Sequence, residues 1–187
     1  MELIVGMSGA TGAIYGIRLL EVLRDLGVST HLILSEWAEK TIVIETDYTV
    51  QQVKKLAAHV YPSYNQAAAI SSGSYKTDGM IVAPCSMKTL AAISCGFSDN
   101  LLSRAADVTL KERRKLVLLP REAPLSEIHL ENMLRLARMG AVIMPPMPAF
   151  YIKPETIEDL VMHTVARTLD QFGIEHNVSR RWLEKEK

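Results

Sequence analysis

Short apolar runs rich in branched residues recur along this chain, separated by longer amphipathic stretches, and no other feature narrows the fold as far. A strand covered on both faces reads as a continuous apolar run, whereas one with a wet face alternates. Leu3 to Met7, His31 to Leu34, Met80 to Ala83, Lys115 to Leu119 and Ala141 to Met144 are continuous runs. Gly12 to Leu26, Thr49 to Ala58, Met87 to Ile93, Ser126 to Met139 and the stretch carrying Ile157, Leu160, Val161, Val165 and Leu169 have helical spacing, while Trp37 to Ile44 fits helix or strand. The rhythm predicts an α/β fold, a doubly wound parallel sheet of five strands with helices on both faces.

At 187 residues, 48% of them hydrophobic, the chain sustains one core. Twenty-one basic residues balance 21 acidic ones, which argues against the broad positive field of a nucleic-acid binder. Cys85 and Cys95 stand without a CxxC spacing, and His31, His59, His129, His163 and His176 form no metal-ligand motif, so neither a disulfide framework nor a metal is expected. The opening MELIVGMSGA enters a strand with no basic leader, and no apolar stretch reaches membrane-spanning length. A cytoplasmic protein is expected, with one domain over 1–174 and a polar tail, 175–187, whose Trp182 suits packing on the site or on a neighbouring subunit.

The strand tips carry the chemistry. GMSGATGAIYG after the first strand offers backbone N–H groups and a helix start to an anion, and its spacing is neither GxGxxG nor a P-loop. Its glycines Gly12 and Gly16 would let a helix approach its neighbour closely, and tight packing alone also explains them. APCSMKTLAAISCG repeats the arrangement, with Ser86 either capping a helix or facing the same crevice, which suggests a mononucleotide across the carboxyl ends of the strands. Cys85 reads as a small buried hydrophobe. Arg104, Lys111, Arg113, Arg114 and Arg121 suit a phosphate or form a solvated face, and Glu122 is a salt-bridge partner or a proton carrier. The serines of SSGSYKTDG could touch a ligand, and the stiff PPMPAFY fits an apolar substrate or an oligomer contact.

GMSGATGAIYG, APCSMKTLAAI, SRAADVTLKERRKLVLLPREAPLSEIHLENM, GAVIMPPMPAFY and TIEDLV together resemble the UbiX-type flavin prenyltransferase family, formerly classed as aromatic acid decarboxylase subunits, from about Leu3 to Trp182. The resemblance implies a flavodoxin-like Rossmann three-layer sandwich that binds reduced FMN. It implies metal-independent transfer of a dimethylallyl group from dimethylallyl monophosphate to flavin N5 and C6, giving prenylated FMN for a UbiD-type decarboxylase, in a homododecamer with sites between subunits. Carried over by motif, Gly9, Ala10, Thr11, Ser35, Ser86, Met87, Arg104, Arg121 and Trp182 would hold the flavin, with Ser71 and Ser72 near its reacting edge. Lys111, Arg121, Glu122, Tyr151 and Arg167 would take the substrate phosphate, and Glu122, Thr11 and Ser72 would be catalytic. Thr11 stands where some members carry serine. Two rivals are an FMN-dependent decarboxylase of C-terminal cysteines, which would use a histidine early in the chain, and a non-catalytic flavin carrier.

Overall fold

The computed structural model describes residues 1–183, so the last four residues of the expected tail lie outside the described residues. Six parallel strands, β1 (Glu2–Met7), β2 (Ser29–Leu34), β3 (His59–Pro62), β4 (Gly79–Cys85), β5 (Lys115–Pro120) and β6 (Val142–Ile143), lie in the order β3-β2-β1-β4-β5-β6. Without the edge strand β3, this is the flavodoxin order. Leu3, Val5 and Met7 of β1 enter one core and Ile4 enters the other, as the two-residue strand period requires.

The first core is closed by α1 (Ala13–Asp25), α2 (Glu36–Glu45), α3 (Val50–Lys54) and α7 (Ile157–Gln171), and the second by α4 (Met87–Cys95), α5 (Leu101–Lys111) and α6 (Glu127–Arg138). β4, buried at all seven residues, reads as an unbroken apolar run because both its faces are covered. Right-handed crossovers put α1 on one face going outward from β1 and α4 and α5 on the other going outward from β4. The strand order therefore reverses between β1 and β4.

Two elements depart from the sequence expectation. β3 adds a sixth strand: it is four residues long, mostly exposed, and ends in Pro62, so it carries no apolar run to reveal it. α5 was not foreseen as an element, although Asn100 caps it and Leu101, Leu102, Ala105, Ala106, Val108 and Thr109 are buried along it. Trp37 to Ile44 resolves as helix, capped by Ser35.

At the amino end of the sheet, His31, only 1% exposed, shares hydrogen bonds with Glu2 Oε1 (2.5 Å) and Tyr61 Oη (3.0 Å), and Tyr75 donates to the same Glu2 oxygen (2.7 Å). Ligand atoms of Glu2, His31 and His59 lie within 4.8 Å of one another, a proximity that the sequence spacing did not disclose. Hydrogen bonds from His31 and then Tyr75 hold the Glu2 carboxyl below its ordinary value. A lowered folded-state pKa gives stability that is present above the unfolded pKa and lost as pH falls through the folded one. Glu2→Gln is accordingly expected to flatten the acid limb of the melting temperature against pH; an unchanged limb would contradict the linkage.

Candidate functional site

A ligand crevice in an open α/β sheet opens where the strand order reverses, outside the carboxyl ends of the two diverging strands. Here those ends are tied together. β4 shifts register between Val82 and Cys85, around Pro84, which can donate no ladder hydrogen bond. The Pro84 carbonyl accepts from both the backbone N–H and the Oγ of Ser8 (3.1 Å each), and Ser8 Oγ accepts from the Ser86 N–H (2.7 Å). The Arg121 N–H donates to the Cys85 carbonyl (3.2 Å) and the Ser35 N–H to the Met7 carbonyl (3.0 Å), so four strand tips share one rim.

Two helices start at this rim. Ser35 Oγ accepts from the Ala38 N–H (3.1 Å) and Ser86 Oγ from the Thr89 N–H (3.3 Å), so both serines serve as N-caps while standing at the crevice. Gly9, Ser35 and Ser86 line a cleft of about 640 Å³ together with Trp37, Thr89 and Asn100. A Cβ on Gly9 would collide with the Cβ of Trp37, which explains the bare first turn. Gly16 bears out the expected close approach, since an added Cβ would strike the Ala83 carbonyl.

The N-terminus of α1 differs from the expectation of free N–H groups. Gly12, whose φ of 99° is left-handed, and Ala13 both donate to Glu45 Oε2 (2.8 and 3.1 Å) at the end of α2. The anion at this helix end is the protein's own carboxylate, which leaves the starts of α2, α4 and α5 as the helix ends bordering the cleft.

The remaining site residues fall into separate patches. Ala10 and the exposed Thr11 continue the first turn beside Gly9, and Met87 follows Ser86 and packs partly on the second core. Arg121 and Glu122 are exposed just past β5, where Glu122 Oε1 accepts from the Ala123 N–H (3.1 Å). Arg104 Nε donates to the Ser71 carbonyl (3.2 Å), and Ser72 Oγ bonds Ser74 Oγ (2.9 Å) in the following loop. Lys111 ends α5 beside Gly73 and pairs with Glu112, which puts it at the amino end of β5, away from Arg121 and Glu122 at the other end. The basic cluster that is contiguous in sequence is therefore split by the length of a strand.

Tyr151, Arg167 and Trp182 form a further patch, around a cavity of about 410 Å³. Tyr151 packs edge-on against Trp182, with ring centroids 5.3 Å apart. Arg167 Nη1 donates to Asp170 (2.5 Å), and Asp170 also accepts from Arg181 (2.9 Å) and shares a hydrogen bond with His176 (3.2 Å). These contacts draw the described part of the tail back onto α7. Nothing in the sequence spacing singled out Asp170, His163 or the tail's Ser179. Burial pushes the Cys85 thiol up to about 12, which agrees with its reading as an inert hydrophobe.

The cleft's size, its three capped helix starts and its bare glycine turn fit a phosphate-bearing flavin nucleotide. The Flavoprotein family model matches residues 1–169. A "Probable UbiX-like flavin prenyltransferase" of Bacillus subtilis (strain 168) is 62% identical over 189 residues, which covers 100% of this chain and 93% of that protein. A crystal structure described as a dodecameric FMN-dependent UbiX-like decarboxylase from Escherichia coli O157:H7 superposes with a TM-score of 0.97 at 61% identity, covering 98% of this chain and 100% of the other. AnUbiX (PadA1), solved in complex with FMN and dimethylallyl pyrophosphate, gives 0.97 at 57% identity, with 99% and 98% covered.

Proposed function

The chain belongs to the UbiX-like flavin prenyltransferase family, and from that premise we propose that it transfers a dimethylallyl group from dimethylallyl monophosphate to reduced FMN. The observation that carries the reading is the near-superposition on a relative solved with both FMN and dimethylallyl pyrophosphate. When bound, reduced FMN supplies the nucleophilic N5 and C6 that take up the allyl carbons.

Gly9, Ala10, Thr11, Ser35, Ser86 and Met87 hold the flavin at the strand tips, with Arg104, Arg121 and Trp182 against it and Ser71 and Ser72 near the reacting edge. Breaking the allylic carbon–oxygen bond gathers negative charge on the departing phosphate. Lys111, Arg121 and Arg167, with the Tyr151 hydroxyl, meet that charge more strongly than the charge of the starting ester, which lowers the barrier rather than only tightening binding. Glu122 relays the proton released as the ring closes, with Thr11 and Ser72 orienting it. Trp182 and the proline-rich lip, 145–151, keep water from the allyl cation.

The sites lie between subunits of a homo-oligomer. Lys111, Arg121, Glu122, Tyr151 and Arg167 are all exposed in the single chain, and Trp37, Ile44, Phe97, Ile128, Met147, Phe150 and Ile157 expose more than half of their surface, which supports an assembly that covers them. The division into a 1–174 domain and a tail reaching the site belongs to the same reading, as does delivery of prenylated FMN to a UbiD-type decarboxylase in the cytoplasm. Among the described residues no helix is long and apolar enough to cross a membrane.

The donor is testable by the anion it releases. With reduced FMN and dimethylallyl monophosphate, one inorganic phosphate is expected per flavin modified, followed by phosphorus NMR. Release that does not depend on FMN, or turnover with the pyrophosphate ester alone, would overturn the monophosphate assignment.

A further inference from the structure

His163 sits in α7 with 7% of its surface exposed, and both of its ring nitrogens are engaged. Nε2 lies 3.1 Å from Tyr151 Oη, and Nδ1 lies 3.2 Å from Ser179 Oγ in the tail. The Tyr151 ring stands edge-on to His163, with centroids 5.4 Å apart at 86°, and edge-on to Trp182 at 84° on another contact. Tyr151 itself is 45% exposed, so its ring is gripped while its edge remains accessible. Arg167 lies one helical turn beyond His163 on α7, in the same cavity lining.

We propose that His163 is a positioning residue for the Tyr151 hydroxyl: its Nε2–H donates to Tyr151 Oη, leaving the phenolic proton to donate to the phosphoryl oxygens of the allylic substrate. A phenol has one proton to give. If that proton went to His163, Tyr151 would present only lone pairs to an anion, which repel it. Ser179 fixes the tautomer by donating to Nδ1, so the tail reaches the phosphate through two side chains without touching it. Burial, and behind it the charge of Arg167, pull the His163 pKa below its ordinary value against the opposing pull of Asp170, which keeps Nδ1 an acceptor at neutral pH. The inference rests on the reading of Tyr151 and Arg167 as the phosphate site.

A double-mutant cycle on the intact enzyme tests it, with KM for dimethylallyl monophosphate, kcat and the FMN dissociation constant read for each variant. Tyr151→Phe and His163→Phe are each expected to raise KM ~10-fold, the scale of one hydrogen bond to a charged group, with FMN binding unchanged. The double variant is expected to be no worse than either single one, because His163 acts on the substrate only through the Tyr151 hydroxyl. His163→Gln, which restores an amide N–H, is expected to recover most of the loss. Ser179→Ala, a change in the tail rather than inside the helix, is expected to raise KM about 3-fold when Tyr151 is intact and to have no effect on top of Tyr151→Phe. Effects that multiply, or a parallel rise in the FMN dissociation constant, would overturn the role of His163 while leaving the phosphate site standing. An unchanged KM in Tyr151→Phe alone would instead remove the phosphate-site reading, and the inference with it.

Discussion

Glu122→Gln is expected to bind FMN as the unaltered chain does and to form prenylated FMN about 10² to 10⁴ times more slowly, the range for loss of a positioned proton carrier. The carboxylate stands exposed on the turn after β5, where Oε1 accepts a local N–H from Ala123 at 3.1 Å, an acceptor role that an amide oxygen can also fill. Shape and that local hydrogen bond are thus retained and proton exchange is lost. Single-turnover rapid quench separates the outcomes: a normal rate would exclude Glu122 as the relay, and loss of flavin binding in step with rate would make its role structural.

The second large effect concerns how one site can contain both Lys111 and Glu122. The two residues flank β5 at opposite ends, and six strand residues span roughly 20 Å, farther than a lysine side chain reaches. If both act on one phosphate, they come from different subunits. Lys111→Ala alone is expected to raise the requirement for dimethylallyl monophosphate ~10-fold to 100-fold, as loss of a charge-assisted contact does, with the FMN requirement little changed. Co-assembled with Glu122→Gln at limiting substrate, it should recover about a quarter of the wild-type activity, because random mixing gives that share of sites one intact copy of each residue. Sites contained within single chains would recover nothing. That result would overturn the intersubunit assignment, even with each single variant impaired.

What was legible in the sequence is what local physics writes there. β1, β4 and β5 are apolar runs because both their faces are covered, and Ser86 and Ser126 announce helix starts because a capping hydroxyl must sit one residue before them. The short, wet β3 has no such pattern. The Glu45 carboxylate on the N-terminus of α1 spans 33 positions and depends on how α2 lies on α1, which no spacing encodes. His163 looked like any histidine on a helix until Tyr151 and Ser179, 12 and 16 positions away, were folded against its two nitrogens. The division of the basic cluster was readable in retrospect, since Lys111 and Arg121 bracket a predicted strand and a strand holds its ends apart.

The measurement that bears most directly on flavin prenylation is anaerobic incubation of the protein with reduced FMN and dimethylallyl monophosphate, followed by mass spectrometry of the released flavin. A protein-dependent gain of one five-carbon unit is expected. FMN recovered unchanged, with an active relative turning over in parallel, would contradict it and leave a flavin carrier or a decarboxylase in its place.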